Sequence, residues 1–378
     1  MSLPLLLYPA HPHDPHFRYA CGFDLEQGLY LCFGSDELLV VTSLELERGR
    51  IKSRVNKICD RDELGWQDES DRFAAWAKLA GRLLGARGWK AVRVSPLLPA
   101  VLYEHLRTAG LEPKIDDLLF SAERRIKSEF EVKSIVTAQD SAIAACVAVI
   151  RAIAEAKVEN GQLFSAGAPL TSERLKGIAT GLLIEQGCSC EEMIIAGFPE
   201  CALPHGQGSG AIWADAPVVI DIFPRHLASG YHGDLTRTVV PANASAQVAD
   251  MHNACRLALV AGLAEIVPGS DTRTIHRTVA KALVDSGYGS KTVGLEGDPL
   301  QPQMLHASGH GIGLEIHEEP FLRDLSVRIE TGEILAVEPG LYHPSVGGVR
   351  IEDLVLVNEA GVSNLTALPH SLTPEDYL

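Results

Sequence analysis

His306-Ala307-Ser308-Gly309-His310-Gly311-Ile312-Gly313-Leu314-Glu315-Ile316-His317-Glu318 is the stretch on which the reading of this chain turns. Three histidines recur at intervals of four and seven, interleaved with three glycines. Glycine lets the backbone approach a neighbour closely. Imidazole is the commonest neutral metal ligand and the usual proton carrier near neutral pH. The pattern predicts a crowded site around something small and charged. Whether that is a metal depends on carboxylates elsewhere.

Those carboxylates lie in β-like runs, where apolar residues are preferred. Asp221 sits inside Val218-Val219-Ile220-Asp221-Ile222-Phe223. In Gly233-Asp234-Leu235-Thr236-Arg237-Thr238-Val239-Val240, Asp234 and Thr236 share a face by the strand period of two. Ile334 to Val337 reads as a core strand running into Glu338-Pro339-Gly340. Val349 to Val357 reads as one strand, with Arg350 and Glu352 on one face. A buried carboxylate is costly unless it is paired or holds a cation, and a single one is usually a satisfied structural residue. Four beside a glycine-flanked histidine are harder to dismiss. Asp221, Asp234, His310, Glu338 and Glu352 would satisfy two divalent ions sharing bridging carboxylates. The set is oxygen-rich without thiolate, which admits manganese, cobalt, zinc or iron.

The ordered segments resemble the pita-bread metallopeptidases: methionine aminopeptidase, Xaa-Pro aminopeptidase, Xaa-Pro dipeptidase and the metal-free relative creatinase. The order is an acid in a strand, then DxTRT, HxxGHGIGLxxHE, VEPG and RIED. The resemblance covers the chain from about residue 124. It implies an α+β fold: a C-terminal pita-bread domain, residues 124–378, with a smaller α/β creatinase-like N-terminal domain, residues 1–123. It further implies that Asp221 is the terminal ligand of one metal and that Asp234 and Glu352 bridge. His310 and Glu338 would hold the second metal, manganese being the first expectation. Water between the ions would be the nucleophile, Glu338 the proton shuttle, and His317 the partner of the scissile carbonyl. His205 would contact substrate near the leaving nitrogen. His306 and Tyr342 would line a proline pocket, and Arg350 would orient metal-bound carboxylates beside the substrate. The N-terminal domain argues against methionine aminopeptidase. The implied activity is release of the N-terminal residue from short Xaa-Pro peptides, by an aminopeptidase or a dipeptidase, in a homodimer. The alternative is a catalytically inactive or metal-free creatinase-like protein, and such proteins lose ligands that this chain keeps.

Two departures stand out. The family has Asp-x-Gly where this chain has Asp221-Ile222-Phe223, followed by Pro224. The interval from Asp221 to Asp234 is also about two residues longer than the resemblance implies. His226 and His232, within it, read as surface residues.

The rest of the chain bounds the answer. Its 378 residues suffice for two domains. A net charge of −16 argues against nucleic acid or an anionic membrane as partner. Eight cysteines without a CxxC pair read as reduced thiols, and the expected compartment is the cytoplasm. The apolar run Leu3 to Leu7 is too short for a signal peptide, and no window reads as a membrane span. Gly206 to Ala211 fits G-x-G-x-x-A, but Pro204 precedes it and Pro217 follows, against a dinucleotide site. Position 321 is Phe321, so His317-Glu318 does not open a zincin motif, and no GxSxG occurs. His11, His13 and His16 read as a solvated segment, and Arg124, Arg125 and Lys127 as a solvated linker or dimer contact. Ser128 and Glu131 form a capping box for a long helix with Val132, Ile135, Val136, Ile143, Val147 and Ile150 on its inner face. Helices are expected near 73–84, 100–109, 172–186, 245–266 and 272–286.

Overall fold

The computed structural model describes residues 3–295, 297–298 and 300–378. The chain divides into two compact units, Met1–Ala122 and Glu123–Leu378.

The first unit is built on a six-stranded sheet. Its strand order is Ile58–Asp60, Asp36–Val41, Leu29–Phe33, Leu5–Leu7, Ala91–Val94 and Glu112–Ile115. The short apolar run at the start of the chain is thus an inner strand. Alternation sends Leu6 to one face, against Trp76 and Leu102 of the helices Arg72–Gly85 and Ala100–Thr108. Leu5 and Leu7 face the other side, against Phe17 of the helix Pro15–Cys21. Asp14 caps that helix, its Oδ1 accepting from the Phe17 amide at 2.9 Å. His16 is therefore not on a solvated segment: it is buried, with Nδ1 3.0 Å from Ser95 Oγ.

The second unit packs helices against mainly antiparallel sheets of mixed size, with one parallel pair between Gly289–Ser290 and Gln303–Met304. The Ile194–Ala196, Val218–Ile222 and Leu235–Val239 strands form a three-stranded sheet. A five-stranded sheet orders Glu318–Phe321, Gly309–Gly311, Ile334–Val337, Asp353–Asn358 and Gly361–Asn364. The helices Glu129–Ala154 and Ser172–Glu185 cover the first sheet, and Ala246–Glu265 and Thr272–Asp285 the second.

The capping box forms as expected, with Ser128 and Glu131 bonding reciprocally. The inner face of that helix is shifted only in part, with Ile135 and Ile150 buried as expected. Ala138, Gln139, Ala142, Ala145, Cys146 and Val149 are buried, while Val132, Val136, Ile143 and Val147 are only half-buried. Small side chains let the helix approach the sheet closely, and apolar periodicity alone does not register them. By length and composition this helix could cross a membrane, contrary to the expectation above, but half of its apolar window is core.

The expected strand 349–357 is two strands. Gly347–Arg350 pairs with Gly340–His343, whereas Asp353–Asn358 pairs with Ile334–Val337. The chain changes sheets at Ile351 and Glu352, and the Glu352 amide bonds the Thr236 carbonyl at 3.0 Å.

Candidate active site

Asp221 lies within the strand Val218–Ile222, Asp234, Glu338 and Glu352 lie just beyond strand ends, and all four converge on one cavity of about 490 Å³. His205, Asp221, Asp234, His306, His310, His317, Glu338, Arg350 and Glu352 all line it. Tyr342 does not: it is buried behind His306, with its hydroxyl 2.9 Å from His306 Nε2.

Donor atoms of Asp234, His310 and Glu352 lie within 4.8 Å of one another. The His310 Nε2 is 3.6 Å from Asp234 Oδ2 and 3.8 Å from Glu338 Oε1. Its Nδ1 lies 3.0 Å from the Gly311 carbonyl, which can only accept, so Nδ1 carries the proton and Nε2 presents its lone pair. Burial holds His310 near pKa 3, hence neutral. Burial also raises Asp234 and Glu352 well above the carboxylate range, with neighbouring acids adding to the effect. Glu338 is pushed up to about 8 by burial, against the pull of Arg350.

Two carboxylate oxygens in this cluster, Asp221 Oδ1 and Glu352 Oε1, are buried without a hydrogen-bond partner. Orphaned oxygens cost free energy unless something fills their lone pairs. Crowded, desolvated carboxylates with a neutral imidazole among them are what a divalent cation relieves. The donor set therefore fits metal.

Behind these groups runs a hydrogen-bonded frame. Arg350 donates to Asp221 Oδ2 at 2.6 Å, Tyr342 OH at 2.7 Å, the Pro204 carbonyl at 3.1 Å and Thr236 Oγ1 at 3.2 Å. Tyr342 donates its O–H to His306 Nε2, because His306 Nδ1 is committed to the Ala307 carbonyl at 2.8 Å. Thr236 donates to Glu352 Oε2 at 2.8 Å. The His317 ring stands edge-on to His310 with centroids 4.3 Å apart.

Sequence reasoning missed three groups of supporting residues. Gln139 brackets Asp234, accepting its amide at 2.7 Å and donating to its carbonyl at 2.9 Å. A polar residue on an apolar helix face was the available signal. Arg237, fully buried, donates to the Glu352 carbonyl at 2.6 Å and to Asp353 Oδ1 at 2.8 Å. The third group corrects an expectation. Arg124 and Lys127 are buried, not solvated: both pair with Glu318, Lys127 at 3.2 Å, and Arg124 also reaches Glu315 at 2.7 Å. Arg125 pairs with the buried Glu333. The basic run thus anchors the chain just after His317 and just before the strand leading to Glu338. Removing one member of a buried ion pair is costly, and the second cation moderates the loss here. Arg124→Met should lower stability by about 2–3 kcal/mol in urea unfolding, and an unchanged midpoint would show that the pair adds nothing.

The glycines also gain specific reasons. A Cβ on Gly309 would stand 1.9 Å from the Ala336 carbonyl, and one on Gly313 would stand 2.6 Å from the Glu318 carboxylate. They admit a neighbouring strand and an anchored acid, rather than directly making room for metals.

The long interval before Asp234 folds back on itself. Arg225–His226 pairs with Cys188–Ser189, and Arg225 bridges to His232. His232 is half-buried, not on the surface: its amide bonds the Gly313 carbonyl at 2.9 Å, and burial lowers its pKa to about 4. This loop therefore braces the histidine-glycine segment, while Phe223 joins the cavity wall.

Residues 137–359 match the model of metallopeptidase family M24, and the chain belongs to that family. It carries the pita-bread fold of the family, and the family implies divalent metal ions. The chain is similar to the Xaa-Pro dipeptidase of Pyrococcus horikoshii, with 27% identity over 369 residues, covering 95% of this chain and 92% of the relative. The crystal structure of the prolidase from Pyrococcus horikoshii OT3 superposes with a TM-score of 0.79 at 26% identity, covering 98% of this chain and 95% of that one. An X-Pro aminopeptidase structure from Thermotoga maritima shares the fold, with a TM-score of 0.78 at 20% identity over 97% of this chain and 96% of that one.

Proposed function

We propose that this metallopeptidase hydrolyses the Xaa-Pro bond at the N-terminus of short peptides, with two divalent ions, manganese first and cobalt, zinc or iron as alternatives. The observation that carries the reading is the complete donor set in one cavity: Asp221, Asp234, His310, Glu338 and Glu352, with orphaned oxygens on Asp221 and Glu352. That completeness disfavours the inactive and metal-free alternatives. Relatives named Xaa-Pro dipeptidase, prolidase and X-Pro aminopeptidase support the substrate class. A homodimer, a cytoplasmic setting and a creatinase-like role for the first unit belong to the same proposal.

Asp221, Asp234, His310, Glu338 and Glu352 would hold the ions. Bound ions would supply a Lewis acid and acidify the attacking water. Glu338 takes the proton from that water and returns it to the leaving nitrogen. His317 hydrogen-bonds the carbonyl oxygen as charge develops there. His205 meets the substrate near the leaving nitrogen, and His306, braced by Tyr342, packs along the proline ring. Arg350 fixes the Asp221 carboxylate and thereby its orientation.

The test compares Leu-Pro-Gly with Leu-Ala-Gly on metal-loaded enzyme. The proline peptide should have a kcat/KM roughly 100-fold higher, since a shaped pocket discriminates by about 10–200-fold. Equal rates would replace this reading with a broader aminopeptidase.

A further inference from the structure

His276 is a buried imidazole that does not line the cavity. It sits on the inner face of the Thr272–Asp285 helix, beside the buried Ile275, Val279, Ala280 and Leu283. Its Nδ1 lies 2.6 Å from Ser308 Oγ, and neither residue exposes any surface. Among the described residues this is the one hydrogen bond of either side chain, and His276 Nε2 is a buried orphan. Burial lowers the His276 pKa to about 4, so the ring is neutral at neutral pH.

Stability does not account for such a pair. A buried hydrogen bond returns little net free energy, and two apolar side chains of similar shape would serve the core about as well. The surroundings of Ser308 give a better reason. It lies midway between His306 and His310. The carbonyl before it, of Ala307, accepts from His306 Nδ1 at 2.8 Å. Its own carbonyl accepts from the Glu338 amide at 2.8 Å. Its amide donates to the Leu322 carbonyl at 2.9 Å. Neighbouring segments thus hold the backbone of Ser308, and the helix holds its side chain through His276. Gly309 follows directly and leaves the backbone soft there, so the side-chain tether matters.

We infer that His276 is a positioning residue: through Ser308 it fixes the two successive carbonyls from which His306 and Glu338 are hung. The inference rests on the proton-carrying role of Glu338 in the reading above. A misplacement of about 1 Å can cost about 100-fold in rate, and loss of one tether with the backbone bonds intact should cost about 10-fold.

The experiment measures kcat, KM, bound metal and Tm on the metal-loaded full chain with Leu-Pro-Gly. Three variants are compared with the parent: Ser308→Ala, His276→Leu combined with Ser308→Ala, and His276→Asn. Ser308→Ala orphans the imidazole and should lower both Tm and kcat. The double variant makes the contact apolar and should recover Tm, while kcat stays roughly 10-fold below the parent. Most of the loss should lie in kcat, because Glu338 hangs on Ser308 itself, with a smaller rise in KM through His306. Asparagine places an amide near the position of Nδ1, so His276→Asn should keep kcat within about 2-fold of the parent. Parental kcat in the double variant would overturn the inference. So would a kcat that merely follows Tm across the series, or a deficit that vanishes once metal is restored. If the double variant does not fold, Ser308→Ala decides, and parental kcat there would overturn the inference. Parallel rates on Leu-Ala-Gly keep the two readings apart. Equal cleavage of both peptides by the parent would sink the Xaa-Pro reading, while the ratio of variant to parent still tests His276.

Discussion

Dialysis against a chelator should lower kcat/KM by roughly 10³-fold or more, and added Mn²⁺ or Co²⁺ should restore it. The loss would remove both carbonyl polarisation and the acidified water. The same treatment should lower thermal stability, since a cation at about 1,000 times its Kd stabilises the folded state by about 4.1 kcal/mol. The pH dependence has a definite sign. In the metal-free chain, burial holds Glu338 at about 8 and raises Asp234 and Glu352. A carboxyl raised on folding contributes stability below its unfolded value and loses it as pH rises through the folded one. For Glu338 that window runs from 4.5 to about 8. Cation binding needs the deprotonated forms, so affinity rises through the same window. The gap in Tm between metal-loaded and metal-free protein should therefore widen between about pH 6 and about pH 8. Full activity after verified metal removal would refute the metal assignment, and a narrowing gap would refute the account of the carboxylates.

The second large effect concerns Glu338. Glu338→Gln keeps the shape of the side chain and removes its basicity. Loss of a general acid–base group typically costs 10²–10⁴-fold, so kcat should fall by roughly 10³-fold while KM changes little. The residue is well held for that work. Its amide bonds the Ser308 carbonyl at 2.8 Å, and its side chain keeps one fifth of its surface exposed, more than Asp234 or His310. Because Glu338 is also a proposed ligand, metal content is measured on the same samples. A variant that retains both full metal and wild-type turnover would remove the shuttle role. A variant that loses metal and recovers turnover when metal is added would make Glu338 a ligand alone.

Much of this site was legible because its chemistry is local in sequence. An acid in an apolar run is costly wherever it folds, so Asp221, Asp234, Glu338 and Glu352 declared themselves without a structure. The partners that hold them did not. Gln139 lies 95 residues from Asp234, and Arg124 lies 194 from Glu318. In a linear reading Arg124 is one of three basic residues before a helix, indistinguishable from a solvated turn. The break at Ile351 and Glu352 was hidden for another reason. Both flanking strands are buried for most of their length, and their pairing partners differ. The partly shifted face of the Glu129–Ala154 helix reflects a bias of hydropathy, which favours large side chains where close packing chose alanine and cysteine.

The buried Arg237 reaches beyond the cavity. It donates to the carbonyls of Leu368 and Pro369 as well as to Glu352, while Thr366 accepts from both Gln139 and the Leu354 amide. Residues 366–369 are thereby stitched to the segments that deliver Asp234 and Glu352. During synthesis, a nascent chain that has not yet extruded residues 366–369 lacks these ties. The peptidase centre is then completed only after these residues have emerged, so ribosome-bound chains stalled short of Thr366 would be held inactive by their own incompleteness.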